Sequence, residues 1–82
     1  MNAHLIKIAF LGPTMSRGAR VKLTSQRFER DAVILPYDYD YANPFDIGEV
    51  WLRQHGYTVV CSGEMPNAYW AAVAEFKPLR EA

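Results

Sequence analysis

The sequence predicts a single α+β domain over residues 1–82, a small antiparallel sheet with one helix packed on a face, in the order β-β-β-α-β-β. Three observations predict it. Two early segments alternate apolar and polar residues at a period of two, the mark of half-buried strands. Residues 43–56 carry a full set of helix start and stop signals. The closing third holds two apolar runs separated by the turn-forming "SGEMPN".

In residues 5–11, Ile6, Ile8 and Phe10 share one face while Lys7 and Ala9 share the other. In residues 19–24, Val21 and Leu23 oppose Arg20, Lys22 and Thr24. If the two pair antiparallel, setting Phe10 opposite Val21 and Ile8 opposite Leu23 puts every apolar side chain on one face. A one-residue slip would set Phe10 against Arg20, so the pattern selects its own register. That register leaves Lys7, Arg20 and Lys22 together on the outer face.

Residues 32–41, "AVILPYDYDY", read as a third strand, with Val33, Leu35, Tyr37, Tyr39 and Tyr41 on one side and Asp38 and Asp40 on the other. Pro36 cannot donate to a ladder, which places this strand at a sheet edge or a bend. Asn43 is a good N-cap, Pro44 suits the first helical position, and Asp46 puts a carboxylate in the first turn. Ile47, Val50 and Trp51 form an apolar stripe, and Gly56 supplies the stop, giving a helix over about 44–55. Gly48 weakens it by about 1 kcal/mol relative to alanine. "YTVVC" at 57–61 reads as a strand and 62–67 as a turn. Residues 68–76, "AYWAAVAEF", read as a hairpin strand, with a helix capped by Asn67 as the alternative.

Half of the residues are hydrophobic and 13% aromatic, more apolar than a disordered chain. A domain this short buries only about 60–65% of its unfolded surface. A C2 homodimer, through the Pro36 edge strand or the terminal hairpin, would relieve that limit. The single Cys61 excludes an internal disulfide framework, and its place in "TVVCS" reads as an inert core thiol. "HLIKIAFL" is short, contains a lysine and lacks a small-residue cleavage site, so it is not read as a signal peptide. No apolar run approaches the roughly 18–20 residues of a membrane span, and the expectation is a soluble cytoplasmic protein with no membrane partner.

Formal charge is zero but unevenly spread. Residues 1–35 hold Lys7, Arg17, Arg20, Lys22, Arg27 and Arg30 against Glu29 and Asp31. Residues 36–66 hold Asp38, Asp40, Asp46, Glu49 and Glu64 against Arg53. Such polarity marks a binding face or two halves that attract each other within the fold.

The stretches "FLGPTMSRGARVK", "YDY", a helix ending in "HGY" and the closing "SGEMPNAYW" together resemble small proteins of phages and bacterial mobile elements. Those proteins open with an "LGPTNxRGSRIKA"-like strand–loop–strand. The likeness spans roughly residues 6–76 and departs from the pattern at Met15, Ala19, Leu23 and His55. It implies a setting, bacterial cytoplasm and mobile DNA, and a terminal hairpin. It transfers no catalytic residue.

The glycines and cations of residues 12–22 raise the question of a phosphate loop. A nucleotide P-loop has four residues between its glycines, then Lys-Ser/Thr and a helix. Here five residues separate Gly12 from Gly18, no such pair follows, and a strand comes next. The better reading is a basic hairpin face, Lys7, Arg17, Arg20 and Lys22, that contacts the backbone of nucleic acid or a nucleoprotein. Its plain alternative is a solvated hairpin whose cations discourage edge pairing.

A second functional reading is a counter-defence protein, in the manner of anti-CRISPR proteins, or an accessory inhibitor. It would grip a host protein through Asp38, Asp40, Tyr41, Asp46, Glu49, Tyr69 and Trp70, since acidic patches fit basic grooves. The aromatic set Tyr37, Tyr39, Tyr41, Trp51, Tyr57, Tyr69 and Trp70 is otherwise explained as core. His4 lies near a chain terminus and His55 at a helix end, neither at metal-ligand spacing from a Cys, Asp or Glu. No nucleophile, base and oxyanion donor can be assembled, so a non-enzymatic protein without metal or cofactor is expected.

Overall fold

The computed structural model describes residues 3–13, 15, 18–38, 40, 41, 43–66 and 68–81. Five strands and one helix follow the expected order: β1 (His4–Leu11), β2 (Arg20–Ser25), β3 (Ala32–Pro36), α1 (Pro44–Gln54), β4 (Val59–Met65) and β5 (Ala68–Val73). A 3₁₀ turn at Leu79–Glu81 closes the chain. The strands form one antiparallel sheet, β3-β2-β1-β5-β4. α1 packs across one face of it, against β1 and β2.

The β1–β2 register is the one that alternation selects, with Phe10 opposite Val21 and Ile8 opposite Leu23. Ile6, Ile8, Val21 and Leu23 are fully buried under the helix. Phe10 keeps that face but lies at the strand's end, packed edge-on to Tyr37 at 5.7 Å between ring centroids, and stays partly exposed. Pro36 ends β3 at the sheet edge, as its missing N–H requires.

The helix begins as its sequence signals say. Asn43 Oδ1 accepts the Phe45 N–H at 2.9 Å, and Pro44 follows at the first helical position. At the other end Gly56 adopts φ +86°. Its N–H reaches the Arg53 carbonyl at 3.3 Å, and the Tyr57 N–H reaches Leu52 at 3.0 Å, the paired bonds of a Schellman cap. Gly48 has a reason its helix propensity hides. A Cβ there would lie 2.9 Å from Ile8 Cγ2, so the glycine lets the helix backbone settle directly on the central strand.

Five expectations need correction. The third strand stops at Pro36 rather than 41, because Asp38 turns the chain. Its Oδ1 accepts the Asp40 N–H at 2.9 Å and its carbonyl accepts the Tyr41 N–H at 3.2 Å. Tyr39 lies outside the described residues. "SGEM" is not turn but strand, since β4 runs to Met65 and pairs with β5 as far as Ala68. Residues 74–76 leave the sheet, so β5 ends at Val73 and the helical alternative does not form; Asn67 lies outside the described residues.

Cys61 is exposed, not buried. The register shifts between Val59 and Cys61, so Val59 faces Val73 under the helix while Cys61 faces Ala72 on the other side. The bulge inserts one residue and reverses the parity of everything after it.

His4 is buried, 1% exposed, rather than loose near a terminus. The Ser25 hydroxyl oxygen already accepts N–H groups of Arg27 and Phe28 at 3.2 Å each, so its proton goes to His4 Nε2 at 2.6 Å. His4 Nδ1–H then donates to the Glu75 carbonyl at 3.1 Å. Phe28 meets the imidazole edge-on and Phe76 stacks on it.

The tail has a second anchor. Asp31, fully buried, accepts the backbone N–H groups of Leu79 (2.6 Å) and Arg80 (2.9 Å) and seats Leu79 in the core.

Candidate nucleic-acid interface and an adjoining groove

Side chains alternate across a strand, so covering one sheet face with α1 leaves the other open. β1 presents Leu5, Lys7, Ala9 and Leu11 there, and β2 presents Arg20, Lys22 and Thr24. β3 adds Ala32, Ile34 and Pro36. β5 adds Ala68, Trp70 and Ala72, and the bulge brings Cys61 and Gly63 of β4 to the same side. None of these is a carboxylate. Glu64, the carboxylate of β4, pairs with Tyr69 on the helix side of the sheet.

The register fixes the neighbours. Lys7 stands between Thr24 on β2 and Trp70 on β5. Lys22 lies opposite Ala9, diagonal to Lys7, with Ile34 beyond it. Arg20 follows two residues along β2, about 6.8 Å from Lys22 at an antiparallel rise of about 3.4 Å per residue. Lys7, Arg20 and Lys22 are all half-buried and make no ion pair among the described residues. The Nε of Arg20 is buried without a hydrogen-bond partner. Arg17, the fourth cation expected here, lies outside the described residues.

Three like charges on one face, none compensated by a carboxylate, attract anions. A half-buried indole beside the lysine adds a flat apolar surface of the kind on which a base stacks. Sequence reasoning grouped Trp70 with the acidic residues. The signal that places it with the cations is the β1–β5 register, which needs long-range pairing to read.

The acidic and aromatic set is divided by the fold. Tyr69 and Trp70 are consecutive in β5 and so point to opposite faces. Tyr69 stacks on Phe45 at 5.4 Å between centroids, and its hydroxyl donates to Ser62 Oγ at 2.7 Å with Glu49 Oε1 3.4 Å away. Asp46 is exposed in the first turn of α1. Asp38 and Asp40 are exposed in the turn after β3.

Between that turn, β3 and α1 lies a groove of about 320 Å³. Leu35, Pro36, Asp38, Tyr41, Ile47, Val50, Trp51 and Gln54 line it. Trp51 stacks on His55 at 4.1 Å, and His55 Nδ1 donates to the Trp51 carbonyl at 2.8 Å, which holds that wall in place. The sequence pattern assigned Trp51 to the helix's apolar stripe and gave no sign of the groove.

Among the described residues no three His, Cys, Asp or Glu side chains are grouped to hold a metal ion. No described helix is long and apolar enough to cross a membrane. Comparison of the chain with protein-family models, with curated proteins and with solved structures found no match in any of the three.

Proposed function

We propose that this chain is a small non-enzymatic binding protein of phage or mobile-element type that holds single-stranded nucleic acid on the open face of its sheet. The observation that carries this reading is one face with Lys7, Arg20 and Lys22, an adjacent Trp70 and no carboxylate. Cations about 6.8 Å apart along β2 meet successive phosphates of a strand lying along it, and a base unstacked from its neighbours rests on Trp70. A duplex offers phosphates but no free base face, so the indole favours a single strand. The phage setting rests on the opening-hairpin resemblance alone.

The test is fluorescence anisotropy with labelled single-stranded and duplex oligonucleotides of equal length, across a salt series. Binding at low salt that prefers the single strand and is lost in a Lys7/Arg20/Lys22 triple alanine variant is the expected result. Absence of binding at low salt, or a triple variant that binds like the parent, would remove the proposal.

A further inference from the structure

The geometry points to a second binding site, independent of the sheet face: the groove between β3 and α1 receives an arginine side chain from a partner protein. At about 320 Å³ it lies at the low end of the roughly 300–1,000 Å³ typical of ligand pockets, room for one side chain rather than a cofactor. Its walls suit a guanidinium on an apolar stem. Leu35, Ile47 and Val50 accept the methylenes, while Tyr41 and Trp51 offer aromatic surface to a planar cation.

Charge complementarity names the occupant. Asp38 stands at the groove with Oδ1 fixed by the Asp40 N–H, and Oδ2 has no partner among the described residues. A carboxylate so placed can accept a guanidinium N–H at its second oxygen. Among the described residues no lysine or arginine lines the groove. Residues 37–52 hold Asp38, Asp40, Asp46 and Glu49 and no cation, so the field around the opening is negative. The basic face lies across the sheet, which sends an anionic ligand and a cationic one to different sides.

The groove also opens beside β3, an edge strand of the sheet. Among the described residues no strand pairs with its outer side, and a polypeptide lying along it gains hydrogen bonds that free arginine cannot make. The occupant is therefore an arginine carried on a protein chain.

The two tryptophans of the sequence, Trp51 in the groove and Trp70 on the open face, give one reporter for each site. The experiment titrates ¹⁵N-labelled full-length protein with acetyl-Ala-Arg-Ala-amide and follows both indole N–H signals. Expected are a saturable shift of Trp51 with Trp70 unmoved, and no shift with the citrulline tripeptide, which is neutral. Asp38→Asn should weaken binding about three- to fivefold, the worth of an exposed ion pair. Gln54→Lys, on an exposed helix position, should block it by placing a cation in the groove.

A still Trp51, an equal response to the citrulline peptide, or unaltered binding in both variants would overturn the site. Acetyl-arginine-amide binding as tightly as the tripeptide would overturn the protein partner. An oligonucleotide reads out on Trp70 instead, so failure of either site is seen separately.

Discussion

The open face makes a prediction in which two substitutions damage binding in different ways. Three described cations on one surface neutralise about three phosphates, and for a single strand each contributes about −0.7 to the slope of log K against log salt. The parent slope should be about −2, which is a loss of about 20-fold in affinity between 50 and 200 mM salt. Arg17, if it contributes, takes the slope to about −3. Lys22→Ala should weaken binding at low salt and flatten the slope by about 0.7. Trp70→Ala should act otherwise. Stacking of a base on an aromatic side chain is worth about 1–3 kcal/mol, roughly 5- to 150-fold, and that loss should be the same at every salt concentration. Anisotropy titrations at four or five salt concentrations for the three proteins give both quantities. A Lys22→Ala slope equal to the parent's, or a Trp70→Ala variant of parental affinity, would refute the reasoning even if the protein does bind nucleic acid.

The remaining predictions concern stability and reactivity. Gly48→Ala should lower stability by about 1–3 kcal/mol in guanidinium denaturation, because overpacking against Ile8 outweighs the gain in helix propensity of about 1 kcal/mol. Asp31→Ala should cost about 1–3 kcal/mol for each of the two backbone donors it orphans at Leu79 and Arg80, read in the same way. The Thr58 backbone N–H, and then its hydroxyl, hold the Glu75 carboxyl below the ordinary glutamate range. Its contribution is thus complete above the unfolded-state value and is lost as pH falls through the lower folded value. Glu75→Gln should flatten the acid side of a stability–pH curve over that window. Cys61 should react with a thiol reagent in the native protein about as fast as in denaturant, whereas a buried thiol would need unfolding first.

What the sequence revealed was local. The β1–β2 pairing could be read because a one-residue slip would have put Arg20 in the core, and α1 because Asn43, Pro44 and Gly56 bond or bend within one turn of themselves. The features that escaped depend on partners far along the chain. His4 looked like a fraying end because its ties, Ser25 and Glu75, are 21 and 71 residues away. Asp31 entered the sequence reading only as one charge in a balance, because its donors come from the tail, 48 residues later. Cys61 was misplaced by a single inserted residue, which no period-two reading detects. The candidate face was half legible for the same reason. Lys7, Arg20 and Lys22 lie on adjacent strands of one hairpin, while Trp70 arrives from β5.

The strand order carries a kinetic consequence. β1 is the middle strand, yet its two neighbours differ greatly in sequence distance: Ile8 pairs with Leu23 on one side and with Tyr69 on the other. The β1–β2–β3 meander can assemble from nearby residues in a rapid first step. Until residues 68–73 dock, that meander shows a bare inner edge at β1, lined with Ile6 and Ile8. Closing the long loop is entropically costly, so docking of β5 should limit the folding rate. A chain that cannot complete that step would offer the bare edge of β1 to other chains.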